Sequence, residues 1–372
     1  MQVRVISSEQ HLAYIDTRPA VSFLQTPAWA KVKSGWMSQS LGWFVGDQLV
    51  GAGLVLLRKV PKVERYLAYI PEGPDLNWQD TTHVEQALSA LTDYLGNLGV
   101  FQIKMGPRVW TRRWESESIK TAIAQEVATS LTHIQPSHIN ATGLKLAEQM
   151  AALGWKQPHN VGAGFGDYQP RYVFQIPLAG RTDEDLLTGF NQLWRRNIKK
   201  SEKAGVTVRL GEREDLADFH QCYVETAKRD NFSPRPLSYF HTMWDAMRAE
   251  DPKRLRLYLA HHPDHPGVIA ATTMTSVGNV RWYSYGASTT AARDLRPSNA
   301  IQWHMMRDSL AEGADVYDLR GISDTIDPTD PLFGLIQFKL GTGGYAQEYV
   351  GEWDFVLSPI WAKAFNLYMA RK

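Results

Sequence analysis

Hydrophobic positions recur along the chain in two stretches that follow the same plan. In the first, residues 48–59 (QLVGAGLVLLRK) read as a strand and 65–70 (RYLAYI) as its hairpin partner. A polar loop with Gly73 and Pro74 follows, 82–98 carries apolar residues at helical spacing, and Gly99 ends that helix before a strand at 100–104. In the second, 267–276 (GVIAATTMTS) turns at Gly278-Asn279 into 280–285 (VRWYSY), a strand-turn-strand signal. A loop, a helix over 299–312, Gly313 and a strand over 315–319 (DVYDL) complete it. Gly99 and Gly313 occupy equivalent places, so the pattern predicts two related α/β (α+β) lobes.

Elsewhere the pattern gives a helix over 142–153, a strand over 172–176, a helix from 182 onward, and a C-terminal amphipathic helix over 358–369 that packs back on the body. The glycine-rich segment 162–166 (GAGFG) follows no clear strand and opens no helix, so it reads as a connector and not as a phosphate loop. A length of 372 residues exceeds the roughly 250 to 300 at which one hydrophobic core usually splits, which agrees with two lobes. The predicted boundaries are 1–166 plus 351–372 for the first lobe and 167–350 for the second.

The element order is that of the acetyl-coenzyme-A-dependent acetyltransferase (GNAT) core, in which a glycine-rich loop presents backbone N–H groups to a pyrophosphate. The two corresponding loops here, Pro71-Glu72-Gly73-Pro74-Asp75 and Arg296-Pro297-Ser298-Asn299-Ala300, lack a run of glycines. They read as lobes without a coenzyme A cradle. No cofactor is expected.

Lysine and arginine number 40 against 39 acids, so a polyanion must be met by a local patch. Such a patch is offered by Arg195, Arg196, Lys199, Lys200 and Lys203, which form a basic helical run. Alone, that run equally describes a solvated helix face. Cys222 is the single cysteine, which excludes an intramolecular disulfide and fits a reducing, cytoplasmic setting. The longest apolar run, 49–57, is about half of a bilayer span, and the polar N-terminus has no signal-peptide core. His261, His262 and His265 flank a Pro-Asp turn and read as a hairpin loop, so no metal site is expected.

Five segments carry a resemblance to a known family: Phe23-Leu24-Gln25-Thr26-Pro27-Ala28-Trp29 through Lys33; Trp194 to Lys200; Arg229-Asp230-Asn231-Phe232 through Arg235 and Tyr239; Trp282 to Ser288; and Tyr317-Asp318-Leu319-Arg320-Gly321 with Phe338-Lys339. In order and spacing the chain resembles the FemXAB family, whose members move an amino acid from aminoacyl-tRNA onto a peptidoglycan precursor. The resemblance implies two tandem GNAT-like lobes with a cleft between them, the first binding the precursor and the second holding the aminoacyl-tRNA side and catalysis. It is to the members without a helical arm, because Lys203-Ala204-Gly205-Val206 leads straight into the next strand.

The implied reaction is attack of an amine on the ester joining an amino acid to the terminal ribose. Its transition state needs donors aimed at a developing oxyanion and no covalent nucleophile. The family match places Lys339 with Phe338 at the tRNA acceptor end as the catalytic pair, against the plainer reading of Lys339 as a surface lysine near a turn. Lys33, Ser233, Arg235 and Tyr239 match positions that bind the sugar-nucleotide precursor, where a guanidinium suits phosphate oxygens. For Lys33 the alternative is a lysine ending a helix. Tyr283 and Tyr285 alternate with Ser284 and so are expected on one face of a strand; core packing accounts for one such tyrosine, while Tyr285, counted with the catalytic residues, is the first candidate for a peptide contact and Tyr283 the second.

The function implied is an aminoacyltransferase adding glycine, alanine or serine to the side-chain amine of the stem peptide. The partners are aminoacyl-tRNA, UDP-MurNAc-pentapeptide or lipid II, and the inner face of the membrane as a peripheral contact, with the protein itself a monomer. Three alternatives stay open. A tRNA-dependent enzyme of peptide-antibiotic biosynthesis or resistance differs only in its acceptor. A non-catalytic binding protein has no need for Phe338-Lys339, Arg235 and both tyrosines together, and an acetyl-coenzyme-A enzyme needs glycines that the two loops lack.

Overall fold

In the computed structural model, residues 1–158 and 169–369 are described; the segment 162–166 lies outside them. The chain divides into two compact units, one of residues 1–113, 136–172 and 347–372, the other of 114–135 and 173–346.

Unit 1 opens with β1 (Gln2–Val5), α1 (Ser8–Asp16), α2 (Pro27–Val32), β2 (Met37–Val45), β3 (Gln48–Lys59), β4 (Tyr66–Ile70), α3 (Thr81–Asn97) and β5 (Val100–Met105). Strands β1 to β4 are antiparallel neighbours, whereas β4 and β5 run parallel because α3 carries the chain across. Helix α3 forms there because Val84, Ala87, Leu88, Leu91 and Leu95 share a face that the sheet buries, and the Asp80 carboxylate caps its first N–H groups. Truncating Leu88 or Leu91 to alanine costs about 2 to 5 kcal/mol at such a site. Gly99 ends α3 at φ +86°, and a Cβ there would press on the Glu64 carbonyl, so only glycine fits.

The chain continues through β6 (Trp110–Glu115), α4 (Ser116–Ala124), β7 (His138–Ile139), α5 (Ala141–Ala152) and β8 (Tyr172–Pro177). Strand β6 covers the basic, aromatic segment Trp110-Thr111-Arg112-Arg113-Trp114.

Unit 2 repeats the first plan. After α6 (Asp183–Gly189) and α7 (Gln192–Lys203) come β9 (Thr207–Gly211), α8 (Leu216–Arg229), α9 (Leu237–Glu250), β10 (Leu255–His262), β11 (His265–Val277), β12 (Val280–Ser288), α10 (Pro297–Ala311) and β13 (Val316–Ile322). Again β9 to β12 are antiparallel and β12 and β13 are parallel across a helix. Strand order is β1-β2-β3-β4-β5 in one unit and β9-β10-β11-β12-β13 in the other. Two copies of one strand-helix-helix-strand-strand-strand-helix-strand plan therefore stand in a single chain, as the repeat predicts. Residues 204–206 alone join α7 to β9, which leaves no helical arm there.

The last elements are α11 (Phe333–Leu340), β14 (Tyr345–Tyr349), β15 (Trp353–Val356) and α12 (Pro359–Met369). In unit 1, β15 pairs with β5, and α12 buries Ala362 and Phe365 against Leu67 and Phe101.

Candidate active site

Lys339 sits near the end of α11, whose first turns carry an apolar sequence, and it is 3% exposed. It is therefore not a surface lysine. Its Nζ donates to the carbonyl of Gly321 at 2.6 Å and, more weakly, to that of Arg320 at 3.4 Å. Those carbonyls are turned toward it by the end of β13, where Arg320 adopts the left-handed conformation at φ +63°. Burial, reinforced by the Arg320 charge and opposed by Asp318, lowers the Lys339 ammonium to about 7. Asp318 is itself buried, accepting from the Arg320 N–H at 2.7 Å and from Gln175 Nε2 at 2.8 Å. Tyr345 in turn donates to Gln175 at 3.2 Å. The Tyr317–Gly321 and Phe338-Lys339 segments thus form one constellation. The motif in the sequence includes Asp318 without indicating a role for it, and nothing there points to Gln175, which only the pairing of β8 beside β13 brings in.

Phe338 is half-buried, and its ring lies 4.7 Å from that of Trp194 on α7. The Trp194 indole also donates to the Phe338 carbonyl at 2.7 Å. A Cβ on Gly341 would fall 2.2 Å from Trp194 Cδ1, so glycine is required for this contact. Helix α7 buries Trp194, Ile198 and Ser201 and leaves Arg195, Arg196, Lys199, Lys200 and Lys203 exposed. The basic run is thus a solvated face, and it is fastened to the element that carries Lys339.

A second cluster gathers the remaining unit 2 residues. Tyr285 and Tyr239 share a hydrogen bond between their hydroxyls at 3.1 Å, with Tyr223 and Phe240 packed edge-on around Tyr285. Burial, with the nearby Tyr285 hydroxyl, raises the Tyr239 phenol well above its ordinary range. The Arg235 guanidinium lies 5.4 Å from the Tyr239 ring centre and is exposed, as is Ser233. Arg235 precedes α9, so it reaches Tyr239 from the loop and not from a preceding helical turn.

Tyr283 and Tyr285 do not share a face. The register of β12 on β11 shifts, Tyr285 lying opposite Thr273 and Tyr283 opposite Met274, so Ser284 is an inserted bulge residue. Thr273 and Met274 are consecutive and point to opposite sides. Tyr285 meets α8 and α9, while the Met274 sulfur accepts from Ser309 of α10 on the other face. Burial pushes the Tyr283 phenol up to about 12.

In unit 1, Lys33 is the residue that ends α2, half-buried, with its Nζ 5.1 Å from the Trp29 ring centre. The FLQTPAW segment before it is a brace: Gln25 donates to the Pro71 carbonyl at 2.6 Å and accepts from the Leu54 N–H at 2.7 Å. Behind that loop, Glu72 is buried at φ +59° and pairs with Arg108 at 3.4 Å, and Tyr69 donates to buried Glu352 at 3.2 Å. A hollow of about 480 Å³ nearby is lined by Arg18, Trp78, Gln79, Arg108, Trp110 and Asn140. Trp78 and Trp110 are both half-buried and line this hollow, Trp78 with its other side packed against the unit 1 core.

Of the two helix starts that correspond to the pyrophosphate-holding end in acetyltransferases, that of α3 is capped by a side chain and that of α10 is not. Asp80 Oδ1 takes the N–H groups of Thr82 and His83 at 3.0 and 3.1 Å. At α10, Pro297 has no N–H, and the Arg296 carbonyl takes those of Asn299 and Ala300 at 3.1 and 3.3 Å. The three histidines form the β10–β11 hairpin, with His262 bonded to the Ala204 carbonyl at 2.6 Å. Among the described residues no group of three His, Cys, Asp or Glu side chains is placed to hold a metal, and no helix is long and apolar enough to cross a membrane.

Comparison with known proteins places this architecture. The crystal structure of FemX superposes with a TM-score of 0.80 at 22% identity, over 98% of this chain and 99% of that one. A tandem GNAT protein from the clavulanic acid biosynthesis pathway superposes at 0.53 with 12% identity, over 96% and 99%. In sequence, the lipid II:glycine glycyltransferase of Staphylococcus haemolyticus (strain JCSC1435) is 24% identical over 422 residues, covering 96% of this chain and 93% of the relative. That of Staphylococcus aureus (strain COL) is 25% identical over 423 residues, with the same shares. Both alignments are longer than this chain of 372 residues, so those relatives carry insertions absent here. The FemAB family profile matches residues 6–261 and 254–369. The chain is therefore a member of the FemAB family, a family of enzymes that transfer aminoacyl groups.

Proposed function

We propose that this protein transfers a small amino acid, glycine, alanine or serine, from aminoacyl-tRNA to the side-chain amine of a peptidoglycan precursor's stem peptide. The acceptor is lipid II or UDP-MurNAc-pentapeptide, and the site of action is the cytoplasm. The observation that carries this reading is the Lys339 ammonium held between the Gly321 and Arg320 carbonyls. An ammonium has three N–H donors. Two directed into those carbonyls leave the third for a substrate oxygen.

In this reading the acceptor amine attacks the ester carbonyl, the C–N bond forms, the C–O bond to the ribose breaks, and the proton lost by the amine ends on the ribose oxygen, which leaves as a hydroxyl. The third N–H of Lys339 meets the oxygen on which negative charge grows, in a site dry enough to make that contact strong. Phe338 and Trp194 fix the helix that presents it, and the cations of α7 meet RNA phosphates. Arg235 and Tyr239 hold the diphosphate of the precursor, and Tyr285 positions Tyr239 and lines the reacting end. Tyr283, on the other side of its strand, supports that strand. The Asp80 cap on α3 and the lack of a glycine run before α10 support chemistry without coenzyme A, and the charged-tRNA ester supplies the activated acyl group.

The test is incubation of the protein with a mixture of charged tRNAs and each precursor in turn, followed by the mass of the product. A precursor heavier by one amino-acid residue is expected. No transfer to either precursor from any charged tRNA overturns the reading.

A further inference from the structure

Helix α12 has two apolar sides. Ala362 and Phe365 enter the core of unit 1, yet Ile360 and Leu367 stand 80% and 55% exposed on the opposite side. Ile360, Lys363, Ala364 and Leu367 are all exposed and follow the i, i+3, i+4, i+7 spacing of a single helical face. That face carries one charge, and it is positive. Val356, just before the helix, adds a side chain 43% exposed.

Beside α12 lies the hairpin joining β3 to β4. Its Arg65 guanidinium sits 5.9 Å from the Trp361 ring centre, which fixes the hairpin next to the helix. The hairpin presents Lys59, Lys62 and Arg65 to solvent, and Arg58 half-exposed over Trp36 at 5.7 Å. Only Glu64 opposes them, and it pairs with Lys59. Trp36 and Trp361 are half-buried where the apolar face meets the cations. Apolar side chains in the open, tryptophans at their margin and a surplus of lysine and arginine around them match the layers of a lipid surface, from acyl chains through the interface to anionic headgroups.

We propose that unit 1 docks peripherally on an anionic lipid surface through the outer face of α12 and the β3–β4 hairpin. Ile360 and Leu367 enter the acyl boundary, Trp361 lies at headgroup level, and Arg58, Lys62, Arg65 and Lys363 meet lipid phosphates. Charge complementarity selects this occupant: a second copy of the chain would bring the same cations face to face. The site stands on unit 1 alone and does not depend on which acceptor is used.

The test is sedimentation of the full chain with precursor-free vesicles of phosphatidylcholine, with and without phosphatidylglycerol. Binding to the anionic vesicles that weakens with salt is expected, with little binding to the neutral ones. Replacing both apolar residues (Ile360→Glu with Leu367→Glu) should lower that binding roughly tenfold or more, and Lys62→Ala should lower it about fivefold. Both variants should melt as the parent does, since these side chains are exposed. Vesicle binding indifferent to both changes, or none to anionic vesicles, overturns the proposal. A concentration-dependent dimer in sedimentation velocity that Ile360→Glu abolishes also overturns it, by assigning the face to a second copy. Transfer to the soluble nucleotide precursor, measured on the same variants, should be unchanged. Intact transfer without vesicle binding rejects the docking site alone, and vesicle binding without transfer rejects only the catalytic reading.

Discussion

The Nζ of Lys339 lies 2.6 Å from the carbonyl oxygen of Gly321, inside unit 2 and out of reach of bulk water. A cation held there acts on whatever charge appears next to it. Replacing it with an uncharged chain of similar length, Lys339→Met, should lower kcat roughly 100-fold to 1000-fold, the range seen when one oxyanion donor is removed. Precursor affinity should stay nearly unchanged and some turnover should survive, because positioning the amine against the ester supplies part of the rate. Unchanged kcat in steady-state transfer assays would remove Lys339 from the mechanism.

The same burial makes a prediction for stability. The folded protein lowers the Lys339 ammonium to about 7, below the ordinary 10.5 that applies when the chain is unfolded. Between those values the unfolded chain binds more protons than the folded one, so this lysine makes stability rise with pH across that window. Below about pH 7 both states are protonated, and the full cost of burying the charge is present. Melting temperatures of the parent and Lys339→Met, compared from pH 6 to pH 10, should therefore converge as pH rises if the variant starts higher, or separate in the parent's favour if it starts lower. A difference independent of pH would mean that Lys339 has no depressed ionisation in the folded state.

Arg235 and Tyr239 face each other across 5.4 Å, with the guanidinium exposed and the phenol bonded to Tyr285. If the guanidinium takes the diphosphate of the precursor, Arg235→Ala should raise KM for that precursor by the energy of one charged bidentate interaction, about 1.5 to 3 kcal/mol. The affinity for charged tRNA should be nearly unaffected. Equal weakening of both substrates would show that the arginine serves a different ligand.

The duplicated plan was legible because it rests on local signals: apolar periodicity, the Gly278-Asn279 hairpin turn, and Gly99 and Gly313 in left-handed conformations after equivalent helices. Those signals survive in any context. The facing of Tyr283 and Tyr285 was not legible, since alternation holds only in an unbroken strand and the single extra residue at Ser284 inverts one of them. The burial of Lys339 was equally hidden. An apolar run before a lysine describes a surface helix end as well as a cation drawn inward, and what decides is the Gly321 carbonyl, 18 residues away in sequence. Asp318 and Gln175 meet across strands that the sequence separates by 143 residues, and no local pattern couples them.

Helix α7 offers the last test, because its cations and the Lys339 helix are joined through Trp194. Five exposed basic side chains on a helix whose buried face is only Trp194, Ile198 and Ser201 contribute little to folding, so substitutions among them should leave the melting temperature nearly unchanged. If they bind RNA phosphates, Lys199→Ala with Lys203→Ala should weaken charged-tRNA binding and flatten its dependence on salt. For every phosphate that the variant no longer neutralises, the slope of log K against log salt should shrink by about 0.7 to 0.9. With tRNA saturating, kcat should be preserved, because these residues meet the ground state and the transition state alike. Gly341→Ala tests the joint itself: the new Cβ collides with Trp194 and displaces α11, so kcat should fall while the salt slope stays that of the parent. A salt slope unmoved by the lysine pair would leave α7 as a solvated face, and RNA recognition would have to be sought elsewhere on unit 2.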